Sequence, residues 1–202
     1  MKTKYLFILI AAGAILLLPQ AADGAKTTQN KTMGIPASTQ NLTKADIQSI
    51  EYMREEEKLA HDVYTFYARQ YSIPIFRNIS RSETVHQNAM MWLVDTYGLK
   101  DLAKAEGVFT NRELQKMYTE LTKGTTLIEA LQAGALIEEQ DIEDLQSHLQ
   151  KTDNPDIQRI YSNLLRASEN HLRAFVRNLS RRGIDYQPKV LNLSQFSDIV
   201  QP

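Results

Sequence analysis

One helical face constrains this chain more than any other feature. Ile79, Glu83, His86, Met90, Leu93 and Tyr97 recur at alternating intervals of four and three residues, the period of a stripe that a helix buries against its neighbours. The stripe places a carboxylate and an imidazole where apolar groups belong. An unpaired polar group costs several kcal/mol in an apolar interior, so the rest of the chain must supply compensation. A Glu-x-x-His pair, one turn apart on one face, can grip a divalent metal ion from one side. A polar pair satisfied by Arg or Tyr from another helix is the competing reading.

Three more stripes of the same period can be read. Thr43 and Asp46 form a capping-box signal, and the helix expected from Lys44 to about Gln70 carries Met53, Glu57, Ala60, Tyr64, Tyr67 and Tyr71 on one face. After the break at Ser72-Ile73-Pro74 comes the Glu83/His86 helix, expected from about Arg77 to Tyr97, with Gly98 as its C-terminal stop. A mixed stretch with a short helix near Arg112 to Thr122 reads as a crossover. A third long helix, Thr126 to about Gln150, shows Leu127, Leu131, Gly134, Glu138, Asp141, Leu145 and His148. The fourth, from about Asp156 to Ser180, shows Ile157, Tyr161, Leu164, Ser168, His171, Phe175 and Asn178. This predicts an all-α, antiparallel four-helix bundle over residues 44–183 with a helical crossover between helices 2 and 3. The tail 184–202 reads as irregular chain packed along the outside.

In an antiparallel hairpin, residues equally far from the turn lie at one height, because a helix rises a constant 1.5 Å per residue. Glu138 and His171 are equidistant from the Asn154-Pro155 turn, as are Asp141 and Ser168. Glu57 and His86 flank the Ser72–Pro74 break in the same way, with Glu83 about one turn away. All four stripes are therefore interrupted by polar groups at one level. Glu55, Glu56, His61 and Asp62 fall off the stripes and read as a charged or ion-paired face. Tyr67, Tyr71, Phe76 and Trp92 read as core aromatics, and Glu169 as a reserve ligand beside its stripe.

Composition limits the chemistry. The chain has no cysteine, which excludes disulfides and thiolate metal sites. Any metal must be held by carboxylate and imidazole, a donor set suited to iron, manganese or zinc. A net charge of −1 without a basic block gives no sign of nucleic acid as a partner. Lys2 and Lys4, the apolar run Tyr5 to Leu18 and the small residues Ala21 to Ala25 form a Sec-type signal pattern over residues 1–25, followed by a polar tether over 26–43. Export to the periplasm, cell surface or medium is expected, with an uncleaved signal segment as the alternative anchor.

These motifs carry a resemblance. Glu57 with Ala60 and Tyr64, Glu83-x-x-His86, Glu138 and His171 resemble the ligand positions of ferritin-like di-iron carboxylate proteins, which take one Glu from each of two helices and a Glu-x-x-His from each of the others. More narrowly, Glu55 to Ala60 together with Ser168 to Phe175 is similar to an uncharacterised, often exported ferritin-like family of archaea and bacteria. The chain departs from the superfamily at Ser168, where a carboxylate is usual; Asp141 on the neighbouring helix is the residue able to replace it as a ligand, and without that replacement the site would hold one metal ion instead of two. The alternative for Asp141 is to hold His86 or His171 by its second nitrogen.

The resemblance implies two iron ions, with manganese or zinc as alternatives, reacting with oxygen or peroxide and served by an unidentified electron donor. Glu57 and His86 would hold one ion and Glu138 and His171 the other, with Glu83 between them, Asp141 nearby and Tyr64 as a redox or hydrogen-bonding group. Such a protein could also form a homodimer. The competing expectation is a helical binding module whose polar layer only fixes helix register.

Overall fold

Residues 42–201 are described by a computed structural model. Six helices follow in chain order: α1 (Lys44–Gln70), α2 (Pro74–Thr96), α3 (Arg112–Leu121), α4 (Leu127–Leu149), α5 (Pro155–Ser180) and α6 (Leu193–Val200). No strand occurs among the described residues. The signal and tether readings lie outside them, apart from Leu42 and Thr43.

Local chemistry sets the helix ends. Thr43 and Asp46 close a reciprocal capping box at α1, as do Thr126 and Glu129 at α4, each satisfying backbone N–H groups that a first turn leaves free. Asn154 caps α5, with Pro155 in its first position. Pro74 plays that same part in α2, so the helix starts three residues before the expected Arg77. Proline lacks only an N–H that the first turn would not use. After α2 the chain reverses through Gly98 at φ 63°, a left-handed conformation that favours glycine.

α1 packs on α2, and α4 on α5; α2 also meets α5, and α1 meets α4. The enclosed apolar residues fall into two clusters. One gathers Leu59, Val63, Tyr64, Phe76, Leu131, Leu172 and Phe175; the other gathers Ile50, Met53, Met90, Leu93, Leu145, Tyr161 and Leu164. On α1, α2 and α5 the residues between the two clusters include Glu57, Glu83 with His86, and Ser168 with His171; on α4, Glu138 and Asp141 lie between Leu131 and Leu145. Each large apolar side chain contributes roughly 1.5–3 kcal/mol on burial, so the two clusters hold the helices together and the layer between them is available for chemistry.

Several expectations are corrected. Glu55 and Glu56 are buried, not part of an exposed charged face: the crossover covers Glu55, whereas Glu56 is turned toward Tyr52 and, beyond it, Asp144 of α4. Asp62 is buried and ion-paired, the second of the two expectations for that face. Glu55 accepts backbone hydrogen bonds from Thr110 at 2.5 Å and Asn111 at 2.8 Å. Asp62 accepts from Gly107 N–H at 2.8 Å and pairs with Lys58, whose ammonium lies 4.1 Å from the centre of the Phe109 ring. Trp92 is exposed, not a core aromatic. The tail is not wholly irregular: α6 packs on α5, and buried Glu139 accepts hydrogen bonds from Tyr186 Oη at 2.6 Å and from the backbone N–H groups of Lys189, Val190 and Leu191, each at 2.9 Å.

Candidate metal centre

The polar layer is assembled from α1, α2, α4 and α5. Glu83 on α2 lies at its middle: Oε2 is 2.7 Å from His86 Nδ1 and Oε1 is 2.9 Å from His171 Nδ1. Glu57 on α1 brings Oε2 to 3.2 Å from His86 Nδ1. Glu138 on α4 brings Oε2 to 3.5 Å from His171 Nδ1. Two ligand-competent groups result, Glu57–Glu83–His86 and Glu83–Glu138–His171, each with one donor atom per residue within 4.8 Å of the others. Glu83 belongs to both groups. The two imidazoles stack at 5.6 Å between ring centres.

Surrounding groups fix these side chains. Tyr64 Oη donates to Glu138 Oε1 at 2.5 Å, and Ser82 Oγ lies 3.1 Å from His171 Nε2, leaving Nδ1 directed into the layer. Asp141 is not a member of either group. Its Oδ2 accepts a hydrogen bond from Ser168, whose hydroxyl also donates to Leu164 O at 3.1 Å. Asp141 therefore holds neither histidine by its second nitrogen. Glu169 is half-buried and also outside both groups.

The electrostatics of the layer are strained without further charge. Burial raises Glu57 to a pKa of about 7, against the pull of His86. Burial also raises Glu138, and drives Asp141 well above the carboxylate range with help from the charges of Glu57 and Glu138. Burial opposes the charged form of both histidines, but their carboxylate neighbours win and hold His86 at about 11 and His171 at about 10. Against burial, the two histidines pull Glu83 down to about 2. Two imidazolium groups therefore face one firmly charged carboxylate, Glu83, and three carboxyl groups that burial pushes toward the neutral acid.

Unpartnered atoms test whether a cation fits. Glu57 Oε1, Glu83 Oε1, Asp141 Oδ1 and His171 Nδ1 are buried without a hydrogen-bond partner. Glu83 Oε1 and His171 Nδ1 form an ion pair at 2.9 Å whose angle is poor for a hydrogen bond, a placement that also suits two donors directed at a common third atom. Two divalent cations would balance the four carboxylates with both imidazoles neutral. The all-N/O donor set suits iron, manganese or zinc.

The sequence profile of the uncharacterized protein domain DUF2202 matches residues 46–202. The chain belongs to this family. The DUF2202 match begins in the first turn of α1 and runs beyond α6, so the family's unit includes the tail that Glu139 anchors. Over 165 residues the chain is 39% identical to the uncharacterized protein MJ0754 of Methanocaldococcus jannaschii, covering 80% of this chain and 89% of that protein. It is also similar to the crystal structure of hypothetical protein MJ0754 from Methanococcus jannaschii DSM 2661, with a TM-score of 0.79 and 37% identity over 81% of this chain and 95% of that one.

Sequence reasoning missed several contributors to the layer. Ser82 precedes Glu83 and so falls off the stripe, yet it reaches His171 on α5. Glu56 lies beside Glu57 with Oε2 unpartnered, and Tyr52 Oη donates to Asp144 at 3.1 Å and to Glu56 at 3.4 Å. A clue existed for Tyr52 and Glu56: they are one turn apart, as are Gln140 and Asp144, which are joined at 2.8 Å.

Proposed function

We propose that this DUF2202 chain is an exported ferritin-like protein in which α1, α2, α4 and α5 form an antiparallel four-helix bundle around two metal ions, preferably iron, that react with oxygen or peroxide. The observation that carries this reading is the set of unpartnered, buried carboxylate and imidazole atoms at one level of four helices. Glu57, Glu83 and His86 would hold one ion, and Glu83, Glu138 and His171 the other, with Asp141 beside them. When bound, the pair of ions would supply one-electron redox steps and open coordination positions for a small oxidant.

The chain's own groups do the rest. Glu83, which belongs to both groups, would contribute an oxygen to each position. Tyr64 holds Glu138 through its hydroxyl, and Ser82 holds the ring of His171. The apolar clusters on either side keep bulk water from the layer, which strengthens every charge interaction inside it. Export rests on the Lys2–Ala25 pattern; among the described residues no helix is long and apolar enough to cross a membrane.

A second reading is supported by the 2.7 and 3.2 Å approaches of His86 to Glu83 and Glu57: a metal-free polar layer that neutralises itself in part and fixes helix register. The combined substitution Glu57→Ala and His86→Ala separates the two. Loss of metal from a protein that keeps its helical circular dichroism supports the centre; unchanged metal content supports the structural layer. For the redox claim, anaerobic loading with ferrous iron followed by oxygen or peroxide should give a near-ultraviolet ferric band, and elemental analysis of protein from its own host should find about two ions per chain. Absence of both band and metal rejects the proposal.

A further inference from the structure

The layer is not enclosed equally on all sides. Its carboxylates are almost fully buried, whereas the side chains of His86 and His171 keep 9% and 12% of their surface exposed, and both belong to the α2–α5 side. A groove of about 530 Å³ opens there, within the usual range of small-molecule sites. Its walls are apolar: Val85, Ala89 and Trp92 from α2 face Ile160 and Leu164 from α5. Val85 and Trp92 are exposed by 65% and 43%, an unusual amount of exposed apolar surface two turns apart on one helix.

The polar groups of the groove are few and ordered. His86 lies at one end. At the other, the Arg159 guanidinium sits 5.2 Å from the centre of the Trp92 ring. Asn163 lies on the α5 wall, and Arg166, one turn further along α5, donates to its side-chain oxygen. No acidic side chain lines the groove among the described residues. Asp156 does pair with Arg159 at 3.2 Å, but both partners are exposed, so the pair is weak and leaves guanidinium donors free.

The geometry points to a binding groove for an apolar organic monoanion, its carboxylate on Arg159, its body over Trp92 and its far end at His86. Trp92 lies six positions after His86 on α2, about 9 Å along the axis, which sets the length of the apolar body and selects medium-chain carboxylates. The inference deepens the proposed function by naming what reaches the centre, and rests on that reading only for the role of His86. Binding in the groove needs no metal.

Trp92 is the only tryptophan of the chain, so its fluorescence reports on the groove alone. The full-length chain, stripped of metal with a chelator, is titrated with octanoate and, separately, with octyltrimethylammonium, both below micelle-forming concentrations. Octanoate is expected to change the Trp92 emission saturably and at least tenfold more tightly than the cation. Arg159→Ala should weaken octanoate about tenfold, equivalent to about 1.4 kcal/mol. Ala89→Trp should fill the groove and abolish octanoate binding, followed by calorimetry, with the helical circular dichroism unchanged. No response to octanoate, equal response to both amphiphiles, or an Arg159→Ala variant that binds normally would each overturn the proposal. So would a concentration-dependent emission shift accompanied by a dimer in sedimentation, which would assign the face to a second copy of the chain. Failure of metal loading leaves these results standing; only the shift that octanoate should cause in the ferric band of loaded protein depends on the centre.

Discussion

Glu83 is the one residue placed in both ligand groups, and this makes its replacement the sharpest test of the centre. Glu83→Gln keeps size and shape but removes the charge that lies 2.7 and 2.9 Å from the two imidazole nitrogens. At a free metal concentration of one hundred times Kd, each bound ion stabilises the folded chain by about 2.7 kcal/mol. Two ions therefore contribute about 5 kcal/mol, and for a domain of this size about 2–4 °C per kcal/mol gives a metal-induced rise in Tm of about 10–20 °C. Glu57→Gln and Glu138→Gln each disturb one group and should keep roughly half of that rise. Glu83→Gln should lose nearly all of it, because even changes around a ligand cost about 10–100-fold in affinity and here a ligand common to both ions is lost. The assay is anaerobic scanning calorimetry with and without ferrous or manganous ion, with elemental analysis of the desalted protein. A Glu83→Gln variant that keeps the full rise and two ions would refute the shared-ligand geometry. Equal and complete loss in all three variants would also refute it, by showing one cooperative site in place of two linked ones.

Other outcomes follow from neighbouring features. Glu139→Ala removes a buried acceptor of one hydroxyl and three backbone N–H groups; at about 1–3 kcal/mol per stranded group the tail should detach, exposing the amides of 186–191 to rapid hydrogen exchange, whereas Glu139→Gln should retain most protection. Gly134→Ala would drive its Cβ into the Phe175 ring; overpacking of about 1–3 kcal/mol should exceed the gain of about 1 kcal/mol in helix propensity, and thermal melts should show rescue by Phe175→Leu. Burial opposes the charge of Asp46, but hydrogen bonds from Thr152 and Thr43 outweigh it and lower its pKa. A depressed folded value means stability that is present above the unfolded carboxylate range and is lost as pH falls through the folded value, so Asp46→Asn should flatten the acid limb of a stability-versus-pH curve and cost most near neutrality. Asp141→Asn should reduce metal content if Asp141 completes a coordination shell; unchanged metal and a higher apo Tm would instead mark it as a buried charge that the fold merely tolerates.

Much of this could be read from periodicity. The stripe positions Glu57, Glu83, His86, Glu138 and Asp141 are all buried, because a period near 3.6 identifies the face turned to the core and the distance to each turn identifies height. What periodicity cannot show is a second buried face. A single stripe describes one interface, yet Glu55 and Asp62 lie under the crossover, where loop N–H groups need acceptors, and Glu56 is turned toward Tyr52 and Asp144 of α4. Trp92 shows the opposite error. Its size suggested the core, but it lies between the stripe residues Met90 and Leu93 and rotation by about 100° per residue turns it outward. The end of the chain did carry a legible signal, since Asn192 and Gln195 close a capping box ahead of Phe196 and Ile199. Scattered polar residues and Pro188 made that signal resemble loop.

The departure at Ser168 now has a structural counterpart. A carboxylate from α5 at this height would have faced Asp141 across the α4–α5 interface, and two buried like charges there would each have raised the other's proton affinity. Ser168 instead donates its hydroxyl to one oxygen of Asp141 and leaves the other bare. A carboxyl group is thus supplied from α4 and oriented from α5; on the proposed two-ion reading the ligand charge would be kept while its origin changes. The same exchange leaves the α2–α5 side with histidine and small or apolar residues, and the acidic groups on α1, α4 and the inner face of α2. A reactant arriving through the α2–α5 groove would therefore meet imidazole before carboxylate. That ordering favours an anionic or apolar visitor over a cation, for which no acidic residue of the groove provides an entrance.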